Sequence, residues 1–433
     1  MSVFLSKRLV NIFTISIFTI FAAQIEIENV LNFITMKRKF RIIVGMLLLA
    51  IPLCMNAQVK TPTEQEQKEK AKIEKQEKKK AEKEQREREK KEGKGGFEMP
   101  KLSGFVQGMY LANLNDKGEL MDNTLRMRRV RLSVDGTLFK GLTYKIQGDF
   151  SRSPMLVDAY VKYKVADAFS IQLGQFKLPF SLESPINPVN LEIFDYGESI
   201  QKLVGYSDVC GVGALGRDIG IMATGNLFPI KGEEGIKYHV VNYSLGLFNG
   251  NGANIIDNNN RKDIVGRLEV HPGLKALTLS GSYYYGGYLF TMNDTVKGTV
   301  PRNRWSAGIQ YNDGKLVIRG EYLSGTTGYY RPGYFDDHGN PIELYQFSKG
   351  YYAVAGYNFQ IGEQKLMPVL RYEHFEPGDK NNTVMGGTNW YTVGINYWPL
   401  KSLNFKLDYS LVQKVLGDKT NSHRVVAILS YKF

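Results

Sequence analysis

The chain has 433 residues, 12% of them aromatic, with 44 glycines, two cysteines and a formal charge of +13. That charge is unevenly placed: residues 58–96 hold 14 Lys/Arg against ten Glu, while residues 97–433 hold 36 Lys/Arg against 31 Asp/Glu, so the basic isoelectric point does not argue for a nucleic-acid partner. Cys54 falls in an apolar leader, so Cys210 stands alone in the body, which excludes an intramolecular disulfide and leaves a structural free thiol.

Residues 36–57 carry the marks of a secretory signal peptide. Lys37, Arg38, Lys39 and Arg41 precede an apolar run from Ile42 to Leu53, and Met55, Asn56 and Ala57 offer a cleavage site before Gln58. The run is too short for a membrane-spanning helix, which takes ~20 residues. Residues 1–35 read as a start assigned upstream of Met36. From Glu64 to Glu92 nearly every residue is Glu, Lys, Gln or Arg, with acid-first pairs four apart such as Glu64 and Lys68 or Glu84 and Arg88. Only Ala71, Ile73 and Ala81 are apolar there, so no heptad seam exists, and residues 58–96 read as a charged helix or disordered periplasmic segment that could touch the cell wall. The stretch around Gly93 to Gly96 is a flexible joint.

From residue 97 onward the period changes to two. Val130, Leu132 and Val134 share one face against Arg129, Arg131, Ser133 and Asp135; Leu142, Tyr144 and Ile146 oppose Thr143, Lys145 and Gln147; Val161, Tyr163 and Val165 oppose Tyr160, Lys162 and Lys164. Sixteen such candidates run from 101–112 to 421–433, and no helical period of similar strength competes with them. A soluble sandwich shows the same alternation, so the connections decide. Short ones, among them Lys140-Gly141, Ala166-Asp167, Asp313-Gly314 and Pro399-Leu400, follow even-numbered strands. Longer polar ones at 113–124, 177–216, 249–261, 287–302, 326–348, 378–387 and 415–420 follow odd-numbered strands, with exceptions at 152–155 and 229–236. Such sorting belongs to an all-β fold of one kind, a transmembrane antiparallel β-barrel with tight periplasmic turns and long external loops. Aromatic residues crowd strand ends, as in Tyr283 to Tyr285 and Tyr397-Trp398, where interfacial girdles need them. The last strand carries Val425, Ala427, Leu429, Tyr431 and the terminal Phe433 on one face, similar to the closing strand that outer-membrane assembly machinery recognises.

These pieces together carry a resemblance. Arg128 to Leu132 with Gly136, Tyr144-Lys145, Asp149-Phe150, Asp158-Ala159-Tyr160, Gly174 to Lys177 with Pro179-Phe180 and Leu182-Glu183, then Gly216 to Gly220 and Leu247 to Gly250, follow in an order that resembles the phosphate-selective porin O and P family across residues 100–433. The resemblance implies a sixteen-stranded barrel assembled as a homotrimer in outer-membrane lipid. It also implies a third external loop folded into the pore and an Arg/Lys-lined lumen that passes inorganic anions or other small hydrophilic solutes, with no cofactor and no catalysis.

By parity, Arg129, Arg131, Lys145, Lys162 and Lys164 lie on the polar face, and Lys177 ends the fifth strand, giving a candidate anion pathway. Arg129 and Arg131 could equally pair with Asp135, Asp149 or Asp158, and both arrangements can coexist. The expected constriction loop departs from a uniformly basic pore: Glu183, Glu192, Asp195, Glu198 and Asp208 face Lys202 alone, so an acidic loop opposite a basic wall predicts a transverse field. Other chemistry is thin. His239, His271, His338, His374 and His423 show no metal-ligand spacing, and His338 within Asp336-Asp337-His338-Gly339 fits turn chemistry. A barrel hydrolase would need Ser and His together on the outer rim, and nothing singles out His374 for that role. The glycines from Gly211 to Gly216 precede no helical pattern, which excludes a nucleotide loop.

Overall fold

Alternation of apolar and polar residues becomes, in the computed structural model, sixteen strands joined into one antiparallel sheet that closes on itself. The structure describes residues 99–433 apart from 214, 234, 292–296, 379–385 and 417–420; the expected leader and the charged segment 58–96 lie outside those residues. The first eight strands are β1 (Lys101–Leu114), β2 (Leu120–Phe139), β3 (Leu142–Asp149), β4 (Leu156–Ala166), β5 (Phe169–Lys177), β6 (Arg217–Gly232), β7 (Gly235–Phe248) and β8 (Asp263–Val270). Then come β9 (Leu277–Tyr285, continued as Gly287–Thr291), β10 (Lys297–Asn312), β11 (Leu316–Phe335) and β12 (Pro341–Tyr357, continued as Phe359–Ile361). The last four are β13 (Gln364–Gly378), β14 (Thr388–Leu400), β15 (Leu403–Lys414) and β16 (Asn421–Lys432). Each strand pairs with its chain neighbours, and β1 also pairs with β16 from Phe105↔Lys432 to Leu114↔His423, which leaves the sheet without an edge. Phe433 seals the seam, its backbone exchanging hydrogen bonds with Gly104 at 3.0 and 3.1 Å.

The two-sided sorting of connections holds. Lys140-Gly141, Asp167-Ala168, Asp313 to Lys315, Gly362-Glu363 and Lys401-Ser402 turn at one rim, and the longer connections leave the other. At Asp313 the side chain accepts from the backbone of Lys315 (2.9 Å) and Leu316 (2.8 Å) while Gly314 takes φ of 90°, the conformation a tight turn needs. Several expected loops are shorter than their sequences suggest. Residues 326–348 are mostly strand, since β11 and β12 keep pairing to Tyr330↔Glu343 and close again at Phe335↔Pro341. The apparent exception at 229–236 is likewise strand, with β6 and β7 paired to Gly232↔Gly235. Beyond the neighbouring strands a ribbon of this kind is wetted on both faces, so its residues need not alternate.

Burial runs opposite to that of a water-soluble protein. Ile146, Val161, Ile171, Leu173, Leu245, Ile264, Ile309, Leu370, Ile395 and Leu429 are exposed on the outward face, whereas Gln107, Arg131, Gln147, Asp149, Arg304, Arg319 and Glu321 are buried on the inward one. An outer apolar band around a polar interior is the arrangement that hydrocarbon outside and water inside stabilise.

Candidate functional site

The inward face is not uniform, and its apolar part decides where the long connection from Leu178 to Gly216 lies. On β9 to β13 the inward positions include Tyr284, Val317, Leu323, Tyr352, Val354, Met367, Val369 and Phe375, and onto these pack Phe180, Leu191, Ile193, Tyr196, Ile200, Leu203 and Val204 of the connection. A short helix, α1 (Glu198–Leu203), turns Ile200 and Leu203 into this cluster, with Glu198 in its first turn and Lys202 in its last. The loop therefore folds into the barrel because each partner covers apolar surface that would otherwise face water.

Charge then fixes the loop in register. Glu183, with no exposed side-chain surface, accepts from Arg371 Nη1 (2.6 Å) and Arg319 Nη2 (3.2 Å). Arg319 also donates to Glu192 at 2.5 Å; Asp195 accepts from Arg128 (2.6 Å) and Arg129 (3.2 Å); and Asp208 accepts from Arg304 (2.9 Å) and Arg302 (3.2 Å). Glu198 accepts from Trp390 Nε1 at 2.8 Å and from the Thr388 hydroxyl. Burial alone would raise the carboxyls of Glu192, Asp195 and Asp208. Nevertheless Arg319 holds Glu192, Arg128 with Arg129 holds Asp195, and Arg304 with Arg302 holds Asp208 below the usual carboxylate range. Bonds to backbone carbonyls complete the seat: Lys406 Nζ donates to the Leu191 carbonyl, Asn396 Nδ2 to the Glu192 carbonyl (2.6 Å), and Arg267 to the Ser181 carbonyl (3.1 Å). Cys210 is a free thiol, as expected; burial and the neighbouring Asp208 push it up to about 12, so it stays protonated and unreactive at neutral pH.

The loop leaves an opening against the remaining wall. There β2 to β6 and the loop segment from Pro185 to Pro188 enclose a cavity of about 250 Å³ whose charged lining is Arg131, Lys145, Lys177, Arg217 and Asp158. Arg131 donates to Asp149 (3.0 Å), Arg217 grips Asp158 through two bonds (2.7 and 3.2 Å), and Lys145 lies 3.1 Å from Asp135. Gly174, with φ of 133°, lets β5 approach the backbone of Ala159 and Tyr160 on β4 so closely that a Cβ there would run into both.

Of the residues singled out from sequence, Arg131 and Lys145 line this opening together. Lys162 shares their face by register, and Lys164 is an exposed residue near the turn-side rim, 2.5 Å from Asp167. Arg129 and Lys177 have other work. Arg129 holds Asp195 of the loop, and Lys177 Nζ donates to the carbonyls of Ser184 (2.6 Å) and Ile186 (2.9 Å) and to Tyr196 Oη (2.9 Å). Lys202 lines a second cavity of about 300 Å³ with Glu198, Phe375 and Pro377. The expected transverse field is revised. The loop's acids do not face the basic wall across open space; four of them touch arginines of β2, β10, β11 and β13 directly, Glu198 bonds to Trp390 and Thr388, and the loop turns Pro185, Asn187 and Pro188 toward the opening. Sequence reading passed over Arg302, Arg304, Arg319, Arg371 and Arg217. The signal was available for Arg302 and Arg304, which alternate with Asn303 and Trp305 as Arg129 and Arg131 alternate with Val130 and Leu132.

His374 lies outside the lumen, stacked on the outward Tyr351 at 5.0 Å and bonded to Asn389 Oδ1 at 2.7 Å, with no serine among these partners. His338 sits in a turn whose Asp336 carboxylate accepts from its backbone N–H at 2.9 Å.

Comparison with known proteins agrees with this architecture. An anion-selective porin from Comamonas acidovorans superposes with a TM-score of 0.52 at 15% identity, over 77% of this chain and 99% of that one. OmpF of Salmonella typhi, solved in complex with daunomycin, gives 0.52 at 12% identity over 77% and 97%. A loop L8 deletion mutant of OmpT, an outer membrane protein of Vibrio cholerae, gives 0.51 at 12% identity over 77% and 99%. At these identities the likeness is one of fold. Among curated proteins none matches the chain. The family described as phosphate-selective porin O and P matches residues 101–433, which is the whole barrel, and the chain belongs to that family.

Proposed function

We propose that this porin is a passive channel biased toward small anions, with the opening between β2–β6 and the Pro185–Pro188 segment as its narrowest part. A porin barrel of this kind is a passive channel of the outer membrane. The anion bias rests on one observation: four cations and one carboxylate line the opening, while the acidic residues of the loop are engaged elsewhere. Partner carboxylates Asp149 and Asp135 temper the excess to about one charge without reversing it, so the preference is modest. Arg131, Lys145, Lys162 and Lys164 mark the path along this wall, while Arg129 and Lys177 position the loop. Glu183, Glu192, Asp195, Glu198 and Asp208 act as its latches, and Lys202 faces the second cavity. The proposal includes export by residues 36–57, a periplasmic segment at 58–96 with cell-wall contact through 64–92, and assembly of the barrel as a homotrimer. Catalysis has no place in it.

The reversal potential under a potassium chloride gradient tests the charge reading. The unmodified protein is expected to favour chloride. Lys145→Gln is expected to lower the chloride-to-potassium permeability ratio by about fivefold, because a unit charge ~8 Å from the path is worth ~0.5 kcal/mol in water and acts with opposite sign on the two ions. A potassium preference in the unmodified protein would sink the anion reading and leave the porin fold untouched.

A further inference from the structure

The cations of the opening differ in how freely they can meet a solute. Arg217 gives Nε and Nη2 to Asp158 and Nη1 to the Leu215 carbonyl at 3.0 Å. Arg131 gives Nε to Asp149, and Lys177 spends all three ammonium protons on oxygens of its own loop. Lys145 is different: its pairing with Asp135 is open to water, the two side chains being 26% and 38% exposed. Half of the remaining lining is apolar, with Phe176 and Met222 on the wall and Pro185 and Pro188 on the loop, and the other half is Gln147, Tyr160, Gln172 and Asn187.

Taking the anion-biased channel proposed above as its basis, we infer that the opening favours small organic carboxylates with an apolar flank over inorganic phosphate. Phosphate is hydrated on every side and sheds that water only where several uncommitted donors replace it. Here Lys145 is the one loosely held cation open to water, since the side chains of Arg131 and Arg217 are only 3% exposed, and the amides of Gln172 and Asn187 beside it are neutral. A carboxylate asks for little more than that, and its apolar flank gains by leaving water against the prolines, Phe176 and Met222.

Bi-ionic reversal potentials of the full chain in planar bilayers, with sodium benzoate and sodium dihydrogen phosphate each measured against chloride, provide the test. In mildly acidic solution both anions carry a single charge. After correction for bulk mobility, benzoate is expected to be about fourfold more permeant than dihydrogen phosphate, the factor that withdrawing roughly one methylene group from water supplies. Met222→Gln, which keeps the side-chain length and adds polarity, is expected to bring the ratio toward one. The unmodified protein carries the test by itself should that variant fail to insert. A channel that prefers chloride to potassium but passes phosphate at least as well as benzoate would overturn this inference while leaving the charge reading standing. A potassium preference would overturn both.

Discussion

Glu183→Gln is expected to unlatch the inner loop and raise single-channel conductance, with added current noise. Glu183 is the one loop carboxylate shared by Arg319 and Arg371, all three side chains being almost wholly withdrawn from solvent. Gly197 donates to its other oxygen at 3.3 Å, so the same side chain also steadies the start of α1. Removing its charge leaves two buried guanidinium groups short of a counter-ion, a change that costs about 3 kcal/mol where water does not reach them. Arg319 retains Glu192 and Arg371 retains Glu373, which limits the damage to the loop and spares the barrel ladder. Arg371→Gln in the same chain should recover part of the loss, because it takes away one of the orphaned charges; the pair therefore couples in a double-mutant cycle. Unchanged conductance and noise in Glu183→Gln would mean that apolar packing alone seats the loop.

Leu370→Arg carries the second large effect. Leu370 lies near the middle of β13, half exposed, opposite Ala355 on β12 and Val393 on β14, all on the outward face. An arginine there meets hydrocarbon, and reversible denaturant unfolding in lipid vesicles should show a loss of about 2–4 kcal/mol. Were that face wet, the same exposed substitution would stay within roughly 0.5 kcal/mol. The contrast between these outcomes is large enough to read from a single titration.

Strand number, the sorting of turns and loops, and the direction of side chains were legible because lipid on one side and water on the other impose a period of two. Strand ends were not. Leu120 to Thr124 and Ile342 to Phe347 project where both faces are wetted, so the alternation that marks a strand fades although the hydrogen-bond ladder continues. The inner loop was recognisable as acidic, yet its contacts were not. Which arginine meets Glu183 depends on the path of the loop across the lumen. Arg371 comes 188 residues later in the chain, and nothing local in the sequence encodes that meeting. Hence the acids seemed poised to face the opening, when Asp195 is held by Arg128 and Arg129 of β2 and the other four are engaged on β10, β11, β13 and β14. The pathway residues fared unevenly for the same reason: parity places Arg129 and Arg131 on one face, but only the loop decides that one latches Asp195 and the other borders the cavity.

Adjacent residues of β5 face different media, and cysteine labelling reads this directly. With Cys54 and Cys210 changed to Ser, Gln172→Cys should react with a charged, water-borne thiol reagent and lose conductance as it does so, since Gln172 lines the cavity. Ile171→Cys, one position away on the outer face, should stay unmodified in the bilayer. Equal reaction at both positions, or reaction at 171 with none at 172, would contradict a barrel whose apolar face meets lipid and whose centre holds water.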